Sequence, residues 1–261
     1  MKALKLILVA FVLWGNVLYP HDKILEVGEE LSYKVYYGFI KLGEVKFKIS
    51  SYDASSKKYT ATAELKNYEA LPLIKINYFF ESTMLSKGDS LYSYRFYSSE
   101  FKEKDINHID YVFDYDKGVI IAKSDRNFQN EEKKEIKINE KKRFQDGLSL
   151  FYNARIHSLV NKNYIVPVYI NSQESTVNYS FNMNKDVVSS DLKSYDMSAV
   201  KIIGTAHFIG VFGLTGEFMA WLSDDDARVP LKAKFNVSIG NITLELTSYK
   251  KKNWSPPVYD K

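Results

Sequence analysis

The stretch that decides the fold is Leu31-Ser32-Tyr33-Lys34-Val35-Tyr36-Tyr37, followed closely by Val45-Lys46-Phe47-Lys48-Ile49-Ser50. Large apolar or aromatic side chains stand at every second position, with polar or smaller ones between them. A period of two places successive side chains on opposite faces of an extended chain, so each run reads as an antiparallel strand with one buried face. The pattern recurs at Tyr59, Ala61, Ala63, Leu65; at Tyr92, Tyr94, Phe96; and at Ile109, Tyr111, Phe113, Tyr115. Further on it returns at Val177, Tyr179, Phe181; at Phe218, Ala220, Leu222; and at Ile242, Leu244, Leu246.

Turn residues punctuate these runs, at Gly38 to Gly43, Asp53 to Lys58, Lys87-Gly88-Asp89, Asp116-Lys117-Gly118, Asp224 to Asp226 and Ile239-Gly240-Asn241. Such spacing suits a meander. One segment breaks the rule. From Asp146 to Val160, Leu148, Phe151, Tyr152, Arg155, Ile156 and Leu159 fall at steps of three and four, which predicts a helix with Asp146 as its N-cap. The expected fold class is therefore all-β and mostly antiparallel: a large curled sheet or half-open β-barrel of about a dozen strands with one main helix, since long twisted sheets curl or close.

The chain of 261 residues holds 20 Tyr and 16 Phe, so many rings must share the inner face. Two readings follow. The rings fill a solid core with Tyr hydroxyls reaching polar partners, or they line a hollow sheet that accepts an acyl chain or another apolar ligand.

At the N-terminus, Lys2 and Lys5 precede an uncharged apolar stretch from Leu6 to Tyr19. That is the basic and apolar pattern of an export signal, and it falls short of the about 20 residues a spanning helix needs. Residues 1–20 are read as a signal peptide cut near Tyr19 or Pro20, and residues 21–261 as a single β domain in the periplasm. The chain has no cysteine, which excludes a lipid-modified N-terminal Cys, disulfides and thiolate metal sites. Loss of Lys2 and Lys5, two of the 36 basic residues, takes the formal charge from +4 to +2. So small a balance implies no nucleic-acid partner.

Two connecting segments are unusually apolar. Tyr68-Glu69-Ala70-Leu71-Pro72-Leu73-Ile74 is the first, and Phe208-Ile209-Gly210-Val211-Phe212-Gly213-Leu214 the second. Gly204, Gly210, Gly213 and Gly216 make the second permissive, and its apolar residues either flap over a cavity, touch a membrane or partner, or form a buried crossover. The candidate ligand-binding residues are Leu71, Leu73, Ile74, Phe208, Phe212 and Leu214.

No catalytic, metal-binding or cofactor site is nominated. His21, His108, His157 and His207 have no paired-ligand spacing. Ser149 lacks a glycine-flanked elbow and reads as a helix-face serine. Asp114-Tyr115-Asp116-Lys117-Gly118 departs from a calcium loop at its third ligand and reads as a hairpin turn. Asp224-Asp225-Asp226 reads as a solvated turn. Lys133, Lys134, Lys141, Lys142 and Arg143 alternate with Glu131, Glu132, Glu135 and Glu140, as on a solvated hairpin.

Several signatures stand in a telling order: Gly28-Glu29-Glu30-Leu31-Ser32-Tyr33, Gly38-Phe39-Ile40-Lys41-Leu42-Gly43-Glu44 and Gln145-Asp146-Gly147-Leu148-Ser149-Leu150-Phe151-Tyr152. Trp221-Leu222-Ser223-Asp224-Asp225-Asp226-Ala227-Arg228-Val229-Pro230 and Ile239-Gly240-Asn241-Ile242-Thr243-Leu244-Glu245-Leu246 follow. Together they resemble the bacterial exported family catalogued as domain of unknown function 3108, from about Gly28 to Tyr249. That resemblance implies an envelope location and a curled β architecture similar to the half-open barrels of lipoprotein carriers; it supplies no catalytic residues. In physical terms Gly38 and Gly43 bracket a hairpin, Arg228 pairs with an Asp of the turn, and Pro230 starts an edge or final strand.

The expected function is non-enzymatic binding or carriage of a lipid or other apolar envelope molecule. The alternative is an assembly factor that docks an envelope membrane-protein partner through the apolar loops.

Overall fold

The computed structural model describes residues 23–68, 76–237 and 240–260. The proposed signal peptide and the segment holding Leu71, Leu73 and Ile74 lie outside the described residues. Within them the chain forms fourteen strands: β1 (Glu30–Tyr37), β2 (Ile40–Asp53), β3 (Lys58–Asn67), β4 (Asn77–Lys87), β5 (Ser90–Phe101), β6 (Ile106–Asp114) and β7 (Val119–Arg126). After β8 (Gln129–Lys137) comes the helix α1 (Gly147–His157), then β9 (Tyr164–Ile170), β10 (Gln173–Val188), β11 (Met197–Ala206), β12 (Gly216–Ser223), β13 (Pro230–Asn236) and β14 (Asn241–Lys250).

All fourteen belong to one antiparallel sheet, and every strand pairs with its sequence neighbour except across α1. β14 returns to pair with β1, so the sheet is a meander whose one unpaired seam lies between β8 and β9. It curls without closing into a barrel. Across the seam Tyr111 of β6 meets Tyr169 of β9 edge-on at 5.1 Å, and its hydroxyl lies 2.9 Å from Ser172 Oγ.

Both free edges are shielded. Gln145 bonds to β9 through its backbone, donating to Pro167 O and accepting from Tyr169 N, each at 2.9 Å. β8 carries Glu131, Glu132, Lys133, Lys134, Glu135 and Lys137, and nearly all of it is exposed. Glu131 to Glu135 thus belong to the outer strand of a solvated hairpin, whereas Glu140 to Arg143 follow β8, where the Arg143 guanidinium lies 4.5 Å over the Tyr115 ring.

Because the strands alternate in direction, their turns sort onto two ends. One end bears the turns after β2, β4, β6, β10 and β12. α1 sits at this end, with the His157 ring stacked 3.9 Å from Tyr164 at the start of β9. The helix starts where the sequence predicts: Asp146 Oδ1 accepts from Leu148 N and Ser149 N, and Ser149 Oγ accepts from Asp146 N in return. Such reciprocal capping satisfies donors that the first helical turn leaves free, for about 1 kcal/mol.

The inner face of α1 buries Tyr152 and Ile156 against Ile49, Ala61, Met84 and Leu91, so this end is solid. Arg155, on the same helix, is fully buried. Its Nη1 and Nη2 donate to the two carboxylate oxygens of Glu29 at 2.6 and 2.9 Å, and Nε donates to Arg228 O at 3.1 Å. Lys251 Nζ approaches Glu29 Oε2 to 2.8 Å. Burial pushes the Glu29 carboxyl up, but Arg155 and Lys251 outweigh it and hold the group below the usual carboxylate range.

Several local expectations hold and three need correction. The Asp114 turn joins β6 to β7, with Asp114 Oδ1 accepting from Lys117 N at 3.0 Å. In the Asp224–Asp226 turn, Asp225 accepts from Ala227 N and Trp254 Nε1, and Arg228 Nη1 reaches Asp224 at 3.4 Å. Gly38, at φ +57°, makes the β1–β2 turn, but Gly43 lies within β2 beside a bulge in the β1 register. A Cβ there would stand 2.1 Å from Lys66 O, so close strand approach requires the glycine. Gly204 likewise lies inside β11, where a Cβ would meet Asn178 O at 2.4 Å; it is a packing glycine, not a loop hinge. Pro230 starts β13, which is an interior strand between β12 and β14. Its first-residue position spares the ladder a missing donor.

Candidate functional site

The opposite end of the curled sheet is hollow. Against one side of α1, from its N-cap to Arg155, lies a cavity of about 680 Å³. Sites for small organic ligands occupy roughly 300–1,000 Å³. Its floor is the first part of α1, where Phe151 stacks on Phe47 at 4.4 Å and 4°. One wall is a run of rings: Tyr78 to Phe80 at 5.5 Å, Phe80 to Phe96 at 6.2 Å, and Phe96 to Tyr111 at 6.1 Å. The facing wall carries Phe218 and Phe235, stacked at 5.8 Å.

Small side chains explain the space. Ala63, Ala206, Ala220 and Ala233 all face it, each leaving room that a larger residue would fill. The alternation of the strands thus brings an apolar face inward at both ends, and the helix decides which end is packed.

Few polar groups face this cavity. At the floor, the buried Asp146 carboxylate accepts Ser82 Oγ at 2.6 Å and Ser93 Oγ at 2.7 Å in addition to its capping bonds. Burial raises its carboxyl pKa despite these four bonds. Ser149, whose hydroxyl lies 2.8 Å from Ser93 Oγ, is a member of this cap. Near the mouth, Glu100 accepts from Tyr78 OH at 2.6 Å and from Asn107 Nδ2 at 2.9 Å. Partial burial pushes Glu100 up, but hydrogen bonds from Tyr78, Asn107 and Lys102 outweigh it and hold the carboxyl below its ordinary value. Burial, then Glu100, raises the Tyr78 phenol.

Of the residues nominated from sequence, Phe208 and Leu214 line the cavity. Phe212 belongs to the one-turn 3-10 helix Val211–Gly213 in the β11–β12 connection, at the mouth. Leu71, Leu73 and Ile74 fall in the β3–β4 connection, outside the described residues. Sequence reasoning overlooked Tyr78, Phe80, Glu100 and Asn107. The signal was present in β5, where Phe96, Ser98 and Glu100 share one face and place a carboxylate among rings.

A family model matches residues 32–247, and its description is "Protein of unknown function (DUF3108)". The chain belongs to this family. No curated protein matches this DUF3108 chain. Among solved structures, it is similar to a beta-barrel-like protein of domain of unknown function DUF1849 from Brucella abortus, at 11% identity and a TM-score of 0.54. That match covers 90% of this chain and 98% of the other. A protein with a YmcC-like fold from Bacteroides fragilis matches at 9% identity and a TM-score of 0.35, over 87% of this chain and 97% of that one. At such identities the Brucella structure speaks for the fold alone.

Proposed function

We propose that this DUF3108 protein is an exported, periplasmic carrier that binds a lipid or another apolar envelope molecule without transforming it. One observation carries the reading: an aromatic-walled cavity of about 680 Å³, held open by alanines and reached from one end of the sheet. An interior of this kind gains from an apolar guest, because the guest removes both its own surface and that of the rings from water. The basic and apolar pattern of residues 1–20 supports export.

Native mass spectrometry of the protein purified from its own envelope tests the proposal. A copurifying species that is released by organic solvent is the expected result. A protein that is consistently empty, together with failure to take up any long-chain probe, overturns it.

The second reading, an assembly factor that docks an envelope protein, draws on a different observation. Phe39, Phe128 and Ile209, on turns at the open end, are 93%, 72% and 65% exposed. Changing Phe39 and Ile209 to serine, alongside Leu71, Leu73, Phe212 and Leu214, tests it by crosslinking in the envelope. Unchanged crosslinks eliminate this reading.

A further inference from the structure

The cavity is apolar along most of its walls, which makes the charge at its mouth informative. Of the ionisable side chains that face it, Arg155 is matched by Glu29, Lys232 donates to Glu245 at 2.5 Å, and Asp146 is buried with its oxygens engaged by four donors. Glu100 is different. It projects from the inward face of β5, opposite Asn107 on β6 and Tyr78 on β4. Its side chain is 29% exposed, so water and solutes reach it through the mouth. Its cationic neighbour, Lys102 at 3.0 Å, is itself 53% exposed and lies in the β5–β6 turn, free to give way.

A carboxylate offers about four acceptor positions. Three on Glu100 are used, by Tyr78, Asn107 and Lys102. The stacked rings of Tyr78 and Phe80 continue from it down the wall. An accepting negative charge above aromatic faces matches an ammonium group, which donates hydrogen bonds and is attracted to the π-faces. An anionic head in the same place would meet like charge.

We propose that Glu100, framed by Tyr78, Phe80 and Asn107, is the headgroup subsite of this cavity and selects amphiphiles whose polar end is an ammonium group. The inference rests on the carrier reading above and adds the chemistry of the guest's polar end. The ligand lies with its head at the mouth and its chain running down towards the N-terminus of α1. Asn107 and Tyr78 are positioning residues, which fix the carboxylate from two sides.

The test uses the full mature chain loaded with a neutral fluorescent apolar probe, near pH 7 where an alkylamine is cationic and a fatty acid anionic. Dodecylamine, dodecanoate and dodecanol, all below their aggregation thresholds, compete for the probe at constant ionic strength. The expected result is displacement by dodecylamine at a concentration about tenfold lower than by dodecanoate, with dodecanol between them. In E100Q, which keeps a group able to accept from Tyr78, the amine and the acid should come within about twofold while dodecanol is unchanged.

Equal affinities for amine and acid in the wild-type protein overturn the subsite while leaving the carrier reading standing. So does a preference for the amine that persists in E100Q. Displacement by none of the three overturns both. The wild-type comparison decides the matter even where the variant folds poorly.

Discussion

The two ends of this sheet are built from the same alternating strands yet differ in what lies inside. At the helix end, Tyr152 and Ile156 of α1 fill the space between β2, β3, β4 and β5, and a buried cluster of Glu29, Arg155 and Lys251 joins the helix to both ends of the described chain. At the open end the walls are no less apolar, but alanines line them and α1 supplies only the floor. Alternation alone therefore specifies a face and not a filling. Whether that face becomes core or cavity depends on a second element.

The contrast can be broken most forcefully at the ion cluster. Arg155→Ala takes the bidentate partner from a buried carboxylate and leaves it to Lys251, and urea unfolding is expected to show a loss of about 3 to 5 kcal/mol. Charge-neutralising replacement at the exposed Lys23–Asp226 pair should do nothing comparable.

A titration sharpens it next. Burial, aided by Lys162 and opposed by Asp89, lowers the pKa of His157 from 6.5 to about 4. A depressed pKa means that the neutral ring belongs to the fold, so its stabilisation is present above pH 6.5 and is lost as pH falls through about 4. A loss on the order of 3 kcal/mol between pH 7 and pH 4 is expected from this group. In His157→Gln the corresponding slope should flatten when stability is measured across that range.

Two alanines on the same strand-face pattern give the most direct comparison. Ala61 is fully buried beside Tyr152 and Ile156, and Ala61→Phe should cost about 1 to 3 kcal/mol through overpacking. Ala220 faces the cavity, and Ala220→Phe should change unfolding free energy by less than about 0.5 kcal/mol. The same variant should weaken apolar probe binding by about tenfold, because the ring occupies the guest's space. Equal stability losses for the two would erase the distinction between the ends.

Much of the architecture was legible because period two and period 3.6 are properties of short stretches. β1, β2, β3, β6, β10, β12 and β14 declare themselves by alternation, and α1 by Asp146 and its spacing; β5 is legible as a strand, but a register shift between Ser93 and Arg95 puts Leu91 and Ser93, not Tyr92 and Tyr94, on the face of Phe96. β8 does not, since an edge strand exposed on both faces has no apolar face to reveal it. The cavity was legible only as an alternative to a solid core, because periodicity reports which side chains share a face and not how far apart the walls stand. Phe208 and Leu214 were found by their apolar setting in a glycine-containing loop. Glu100 and Asn107 were missed because a polar residue on an inward register has meaning only once the opposing wall is known. Arg155 carried the same kind of signal: a guanidinium on the inner stripe of a helix demands a buried partner. That partner, Glu29, stands 126 residues away.

The pairing of β14 with β1 also governs how the chain is assembled. Thr247 Oγ1 donates to Ser32 O across 215 residues of sequence, so the central ladder of the sheet cannot form until the last strand has been made and delivered. Contacts of such separation slow folding, because a long loop must close before they contribute. Until then the two arcs, β1 to β8 and β9 to β13, each present an unshielded edge. Closure of that loop therefore limits how soon the sheet is complete, and an edge left open in the meantime is one that another chain could pair with.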